Sequence, residues 1–153
     1  MRTVNLGIFG LGRGIGSYRA MLENGGKIIA VCDKDERKLK EARDFLGEGL
    51  ATYTDFDAYL ALAEQPELRY VISNTTEAGI VYDPACQLTD KPASSFPGKL
   101  TQVLYKRWQA GKSGLVILSC ELIDNNGKEL LKCVNQYIDQ WNLGEGFKKY
   151  VNE

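Results

Sequence analysis

Histidine is absent from all 153 residues. That removes the catalytic units built on imidazole, Ser/His/Asp and Cys/His among them, and takes away the commonest metal ligand. Net charge is also missing, since 19 basic against 20 acidic side chains leave −1. A near-neutral chain has no electrostatic case for nucleic acid or an anionic membrane, both of which favour basic surfaces. Apolar runs stay well short of the ~20 residues that a membrane helix needs. The opening MRTVNLGIFG lacks the small-residue cleavage site of a secretory signal. No nucleic acid, no membrane and a cytoplasmic location are therefore expected. Cys32, Cys86, Cys120 and Cys133 show neither CxxC spacing nor a metal-like cluster. Reduced, buried thiols and no metal site are the expectation.

What is there reads as one α/β domain, because short apolar segments alternate with amphipathic ones. TVNLGIF (3–9) predicts a buried strand, and Ile15, Tyr18, Met21 and Leu22 recur at helical spacing before Gly25 and Gly26. KIIAVCD (27–33) predicts the next strand. The helix after it carries Leu39, Ala42, Phe45 and Leu46 on one stripe and closes at Gly47. ATYT (51–54) is a weak strand, Asp55 a candidate cap for a helix to about Ala63, and RYVISN (69–74) a further strand. Residues 75–96 are rich in Thr, Ser, Asp and Pro, a long excursion of the kind that is functional or locally structured. KLTQVLYKRWQAG (99–111) predicts a helix, GLVILSC (114–120) a central strand buried on both faces, and the remainder two helices split near Gly144, with Asp124 as cap. Such alternation requires crossover connections, hence a doubly wound parallel sheet of order 3-2-1-4-5.

The segment GIFGLGRGIG (7–16) directly follows the first strand. In a dinucleotide-binding βαβ unit one glycine makes the tight turn, a second lets the backbone approach the pyrophosphate, and the helix start supplies amide donors. Gly10 and Gly12 fit the first two positions, and Arg13, Gly14 and Ile15 complete the loop, although Ile15 stands where the strict pattern has a third glycine. Asp33 closes the second strand 21 residues after Gly12, where a carboxylate accepts from adenosine ribose hydroxyls. The competing reading makes Asp33 a turn or capping residue. An acid there repels a 2′-phosphate and favours NAD over NADP, whereas Lys34 and Arg37 nearby weigh the other way. Asn74, Thr75 and Thr76, just past the fourth strand, are candidate cofactor contacts, because ligands of open parallel sheets bind outside the strands' carboxyl ends.

Two resemblances accompany these features. Residues 1 to about 57, through GIFGLGRG, IIAVCDKDERKLKEA and ATYTDFD, resemble the glucose-fructose oxidoreductase and inositol dehydrogenase family. From about residue 58 to the end, ELRYVISNTTEAGIVYDP, SFPGKLTQVLYKRW and GLVILSCELIDNNGKELLKCV resemble the tagaturonate reductases of the long-chain mannitol dehydrogenase family. Both resemblances imply halves of a Rossmann-like NAD(P)-binding domain. The second places SNTTEAG on the nicotinamide side. A change of family between residues 55 and 60 implies an engineered chimera with its seam there, a natural divergent protein being the alternative.

Neither resemblance brings a catalytic residue with it. The first family has a lysine after the glutamate that ends the fifth strand, where this chain has Glu121-Leu122, and the second keeps its catalytic lysine in a separate helical domain. Cofactor binding without turnover is the leading expectation. A ligand-free scaffold of recombined half-domains, or a small dehydrogenase active as a dimer, are the alternatives. Self-association is expected through the surface that would otherwise meet a second domain.

Overall fold

In the computed structural model, which describes residues 3–12, 18–54 and 57–153, every strand pairing is parallel. Two compact units make up the chain, Met1–Tyr59 and Leu60–Glu153.

The first unit holds β1 (Val4–Phe9), α1 (Tyr18–Glu23), β2 (Gly26–Cys32), α2 (Glu36–Leu46) and β3 (Ala51–Tyr53), with the strands in the order β1-β2-β3. Gly26 is required by packing, since a Cβ there would lie 2.8 Å from the Met21 carbonyl oxygen as α1 turns into β2. Asp35 caps α2 by accepting from the Arg37 N–H, and Gly47 ends it at φ +99°, where a side chain is strained. Leu11, Ile28, Val31, Leu39, Ala42 and Leu50 form this unit's core. Two expectations are corrected. Phe45 lies off the buried stripe and is 60 % exposed. β1 is not a buried strand: Leu6 and Ile8 pack on the unit's core, whereas Val4 and Phe9 are exposed, because that core covers one face of the strand only.

α3 (Asp57–Ala61) spans the boundary and runs on into a 3₁₀ turn over Leu62–Glu64. The expected cap, Asp55, lies outside the described residues.

The second unit continues with β4 (Tyr70–Ser73), α4 (Phe96–Gln109), β5 (Val116–Ser119), α5 (Asn126–Gln140) and α6 (Glu145–Asn152), with β4 and β5 in register from Tyr70↔Val116 to Ser73↔Ser119. The expected order thus occurs as 3-2-1 in one sheet and 4-5 in another. Helix α4 starts three residues earlier than the periodicity predicts. Ser95 caps it through the Gly98 N–H at 3.0 Å, and Pro97 sits in the first turn, where a missing N–H costs nothing. Leu100, Leu104, Leu130, Val134, Ile138, Leu143 and Phe147 form the core. β5 is buried on one face only. Ile117 packs on that core, whereas Val116 and Leu118 are exposed, because α5 packs against one face of β5. Asn125, in left-handed conformation and without a side-chain cap, precedes α5 in place of Asp124.

The excursion 75–96 is locally structured. It contains a 3₁₀ turn at Glu77–Gly79 and a cis Lys91–Pro92 bond. Helix side chains tie it down: Gln102 Nε2 donates to the Leu88 and Asp90 carbonyls, Gln140 Nε2 to Pro84 and Cys86, and Trp141 Nε1 to Cys86. The Tyr137 hydroxyl, fully buried, accepts from the Asp83 N–H at 2.9 Å and shares a 2.7 Å hydrogen bond with Ser95 Oγ. Arg107, also buried, donates to four carbonyls, those of Ala63, Gln65, Leu68 and Ser113. Cys32, Cys86 and Cys133 are buried thiols, whereas Cys120 is exposed. Among the described residues no helix is long and apolar enough to cross a membrane.

Candidate functional site

In the first unit the chain leaves β1 at Phe9 and turns at Gly10, whose φ of +85° favours glycine. The Gly10 N–H donates to the Cys32 carbonyl at 2.8 Å, which prolongs the ladder by one residue. Leu11 then inserts its side chain fully into the core while its N–H donates to Asp33 Oδ2 at 2.7 Å. Asp33 Oδ1 accepts from the Asp35 N–H at 2.9 Å, and Lys38 Nζ stands 3.9 Å from Oδ2. Asp33 therefore does more than end β2: it ties the glycine loop to the start of α2. Two of its lone-pair positions are spent on the backbone, and a carboxylate has about four.

Among the described residues, a Cβ on Gly10 or Gly12 would meet nothing within 4 Å. No described atom crowds the backbone at either position, the condition for close approach of a pyrophosphate, so the described part of the loop fits that group. Lys34 is exposed beside Asp33. Arg13, Gly14 and Ile15 lie outside the described residues. Arg37 is taken up by Asp35, its guanidinium 3.0 Å from Oδ2, and this pairing holds the Asp35 carboxyl below its ordinary 3.8.

The second unit repeats the device with another acid. Glu121, two residues past β5 and only 3 % exposed, accepts from the Thr75 N–H at 3.1 Å and the Thr75 hydroxyl at 3.3 Å on Oε1, and from the Ser73 hydroxyl at 3.2 Å on Oε2. Thr75 stands two residues past β4, as Leu11 stands two past β1. Asn126 Nδ2 clamps the β5 end from the other side, donating to the Ser119 and Glu121 carbonyls. The structure thus gathers Thr75 with Glu121, while Asn74 and Thr76 remain exposed. Asp83, farther along the excursion, accepts from the Ser94 hydroxyl and the Ala85 N–H, which hold its carboxyl below 3.8.

Leu11 and Ser73 are the residues that motif reading passed over. The signal for Leu11 was an apolar side chain between two glycines, and for Ser73 a hydroxyl ending a strand; neither names its partner. Among the described residues no group of three or more His, Cys, Asp or Glu could hold a metal ion.

A family profile described as "Mannitol dehydrogenase Rossmann domain" matches residues 19–153. That range includes residues 55–60, where the two resemblances meet. An altronate oxidoreductase of Phocaeicola vulgatus is 54 % identical over 114 residues, covering 72 % of this chain. The chain spans only 24 % of that protein's length. Among solved structures, a substrate-free D-sorbitol dehydrogenase aligns at a TM-score of 0.69 with 19 % identity, over 97 % of this chain and 40 % of its own. Pseudomonas fluorescens mannitol 2-dehydrogenase, in a ternary complex with NAD and D-mannitol, aligns at 0.67 with 16 % identity, over 98 % and 40 %. At such identities the likeness speaks for the fold, which is Rossmann-like α/β with parallel strands.

Proposed function

Because the chain belongs to the mannitol dehydrogenase Rossmann domain family, we propose that it binds NAD and forms the cofactor-binding part of an oxidoreductase acting on a sugar acid. The observation that carries the reading is the hydrogen bond from the Leu11 N–H to Asp33. It joins a glycine turn after β1 to an acid at the end of β2, the two elements that take the pyrophosphate and the adenosine ribose. Gly10, Gly12, Arg13, Gly14 and Ile15 serve the pyrophosphate, and Asp33 and Lys34 the ribose. Asn74, Thr75 and Thr76 serve the nicotinamide mononucleotide. A buried acid at position 33 repels a 2′-phosphate, which favours NAD over NADP. NAD, when bound, supplies the hydride acceptor. This chain's residues bind it, orient it and keep its phosphates near backbone donors.

The sugar-acid class rests on the altronate oxidoreductase relative. Turnover needs a substrate pocket and a proton-transferring group beside the nicotinamide. We place neither within these residues, so the chain alone binds cofactor without turnover. Isothermal titration with NAD, NADH and NADPH tests the reading. Heat with NAD(H) and much less with NADPH is the expected result. No heat and no thermal shift at millimolar NAD(H) overturns it.

A second reading, a join of two half-domains of different descent, draws support from one observation. The compact units divide between Tyr59 and Leu60, inside the interval where the motifs change family. It predicts that residues 1–59 and 60–153, made as separate chains, reassemble on mixing. No change in circular dichroism or size on mixing counts against it.

A further inference from the structure

We propose that Glu121 is a positioning residue for the nicotinamide riboside half of the cofactor, acting through the Asn74–Thr75 peptide. This rests on the NAD-binding reading above and names a residue that the reading does not use.

Glu121 is almost wholly buried, and among the described residues no cation pairs with it. A buried carboxylate without a countercharge survives only on hydrogen-bond donors. Its donors all come from the β4 end: Ser73 Oγ, the Thr75 N–H and the Thr75 hydroxyl, whose single proton is shared between Glu121 Oε1 and the Thr76 carbonyl. A plain contact between β4 and β5 needs no such acid, because the ladder already continues past the strands through the Cys120 N–H to the Ser73 carbonyl at 2.8 Å. What Glu121 adds is the orientation of one peptide group. In a trans peptide the N–H and C=O are antiparallel. With the Thr75 N–H drawn to Glu121, the Asn74 carbonyl points the opposite way. That carbonyl belongs to an exposed residue, and no described donor engages it.

The outward acceptor matches the donors of nicotinamide riboside, the ribose hydroxyls and the carboxamide N–H. In a two-half dinucleotide fold the glycine loop and Asp33 take the adenosine end, which leaves the β4 end to the other mononucleotide. Gly79 completes the setting from behind. A Cβ there would lie 2.6 Å from the Thr75 Cβ, so the Thr75 position depends on glycine at 79.

The test compares NADH with ADP, which lacks the whole nicotinamide riboside, by isothermal titration on the whole chain. Glu121→Ala removes the acceptor, Glu121→Gln keeps one oxygen for the Thr75 N–H, and Gly79→Ala displaces Thr75 while leaving Glu121 in place. The expected result is an NADH Kd raised about tenfold in Glu121→Ala and Gly79→Ala, with ADP within about twofold and Glu121→Gln within about threefold of wild type for both ligands. Equal losses for the two ligands, or no loss, overturns the proposal. Should Glu121→Ala not fold, Gly79→Ala decides by the same split. If the wild type binds neither ligand, the NAD reading falls and the role of Glu121 falls with it. If it binds both and no variant separates them, only the role of Glu121 falls. A deficit that persists with the 3-acetylpyridine analogue of NADH identifies a ribose hydroxyl as the donor, and one that vanishes identifies the carboxamide; either supports the proposal.

Discussion

Asp33 accepts the Leu11 N–H at 2.7 Å, a buried hydrogen bond between residues 22 positions apart. It links the turn after β1 to the end of β2, with no described atom crowding the Gly10 and Gly12 backbone. The acid proposed above to take the ribose thus also shapes the glycine loop.

Asp33→Ala is therefore expected to lower both stability and affinity. Removing the carboxylate leaves the Leu11 and Asp35 N–H groups without partners, at a cost of about 1–3 kcal/mol. Urea unfolding reads that term. Titration with ADP-ribose is expected to show weakened binding in parallel. Unchanged stability would mean that the loop holds its shape without Asp33.

Tyr137→Phe isolates the hydroxyl that joins α5 to the excursion. Its loss takes a partner from the Asp83 N–H and from Ser95 Oγ, and about 1–3 kcal/mol of destabilisation is expected, with the ring packing unchanged. A lower urea midpoint at constant m-value checks this.

Arg107→Leu strands four carbonyls and is expected to cost about 3 kcal/mol or more. Arg107→Lys keeps the charge but not the planar fork, and recovers only part of the loss. A melting temperature for the leucine variant equal to wild type would show that the carbonyls find other donors.

Burial pushes the Tyr137 and Tyr150 phenols above their ordinary 10.0 and the Cys133 thiol above 9.0. For Tyr150 the Arg107 guanidinium partly offsets that effect, and for Cys133 the Glu129 carboxylate adds to it. A raised folded pKa means that the native state keeps its proton longer than the unfolded chain. Stability from these groups is complete below the ordinary values and is lost as pH rises through them toward the folded ones, since the unfolded state then binds fewer protons. Urea midpoints measured from about pH 8 to 11 are expected to fall along that limb, and less steeply in Tyr137→Phe. A flat profile would contradict the shifts.

Much of this was legible in the chain itself. The strands at TVNLGIF, KIIAVCD and RYVISN announce themselves by apolar runs bounded by glycine or polar residues. The α2 helix announces itself by its stripe and by Gly47. Gly10 and Asp33 are found by spacing, because the turn and the acid lie in one βαβ unit whose length is nearly constant. The start of α4 was missed because Pro97 reads as a breaker until Ser95 is seen capping it. The burial of β5 was overestimated because a run of Val, Ile and Leu says nothing of how many faces find a partner.

Local pattern therefore determined the elements and the glycine turn, since each depends on residues a few positions apart, and their alternation implied parallel pairing through crossovers. Only the tertiary structure decided what the acids do. Glu121 and Thr75 are 46 positions apart and Tyr137 and Asp83 are 54, and such pairs meet because packed helices and strands bring distant groups within hydrogen-bond distance. Buried polar groups must find donors wherever the fold places them. That requirement assigned Asp33 to the loop and Glu121 to the β4 end, and no periodicity in the sequence encodes it.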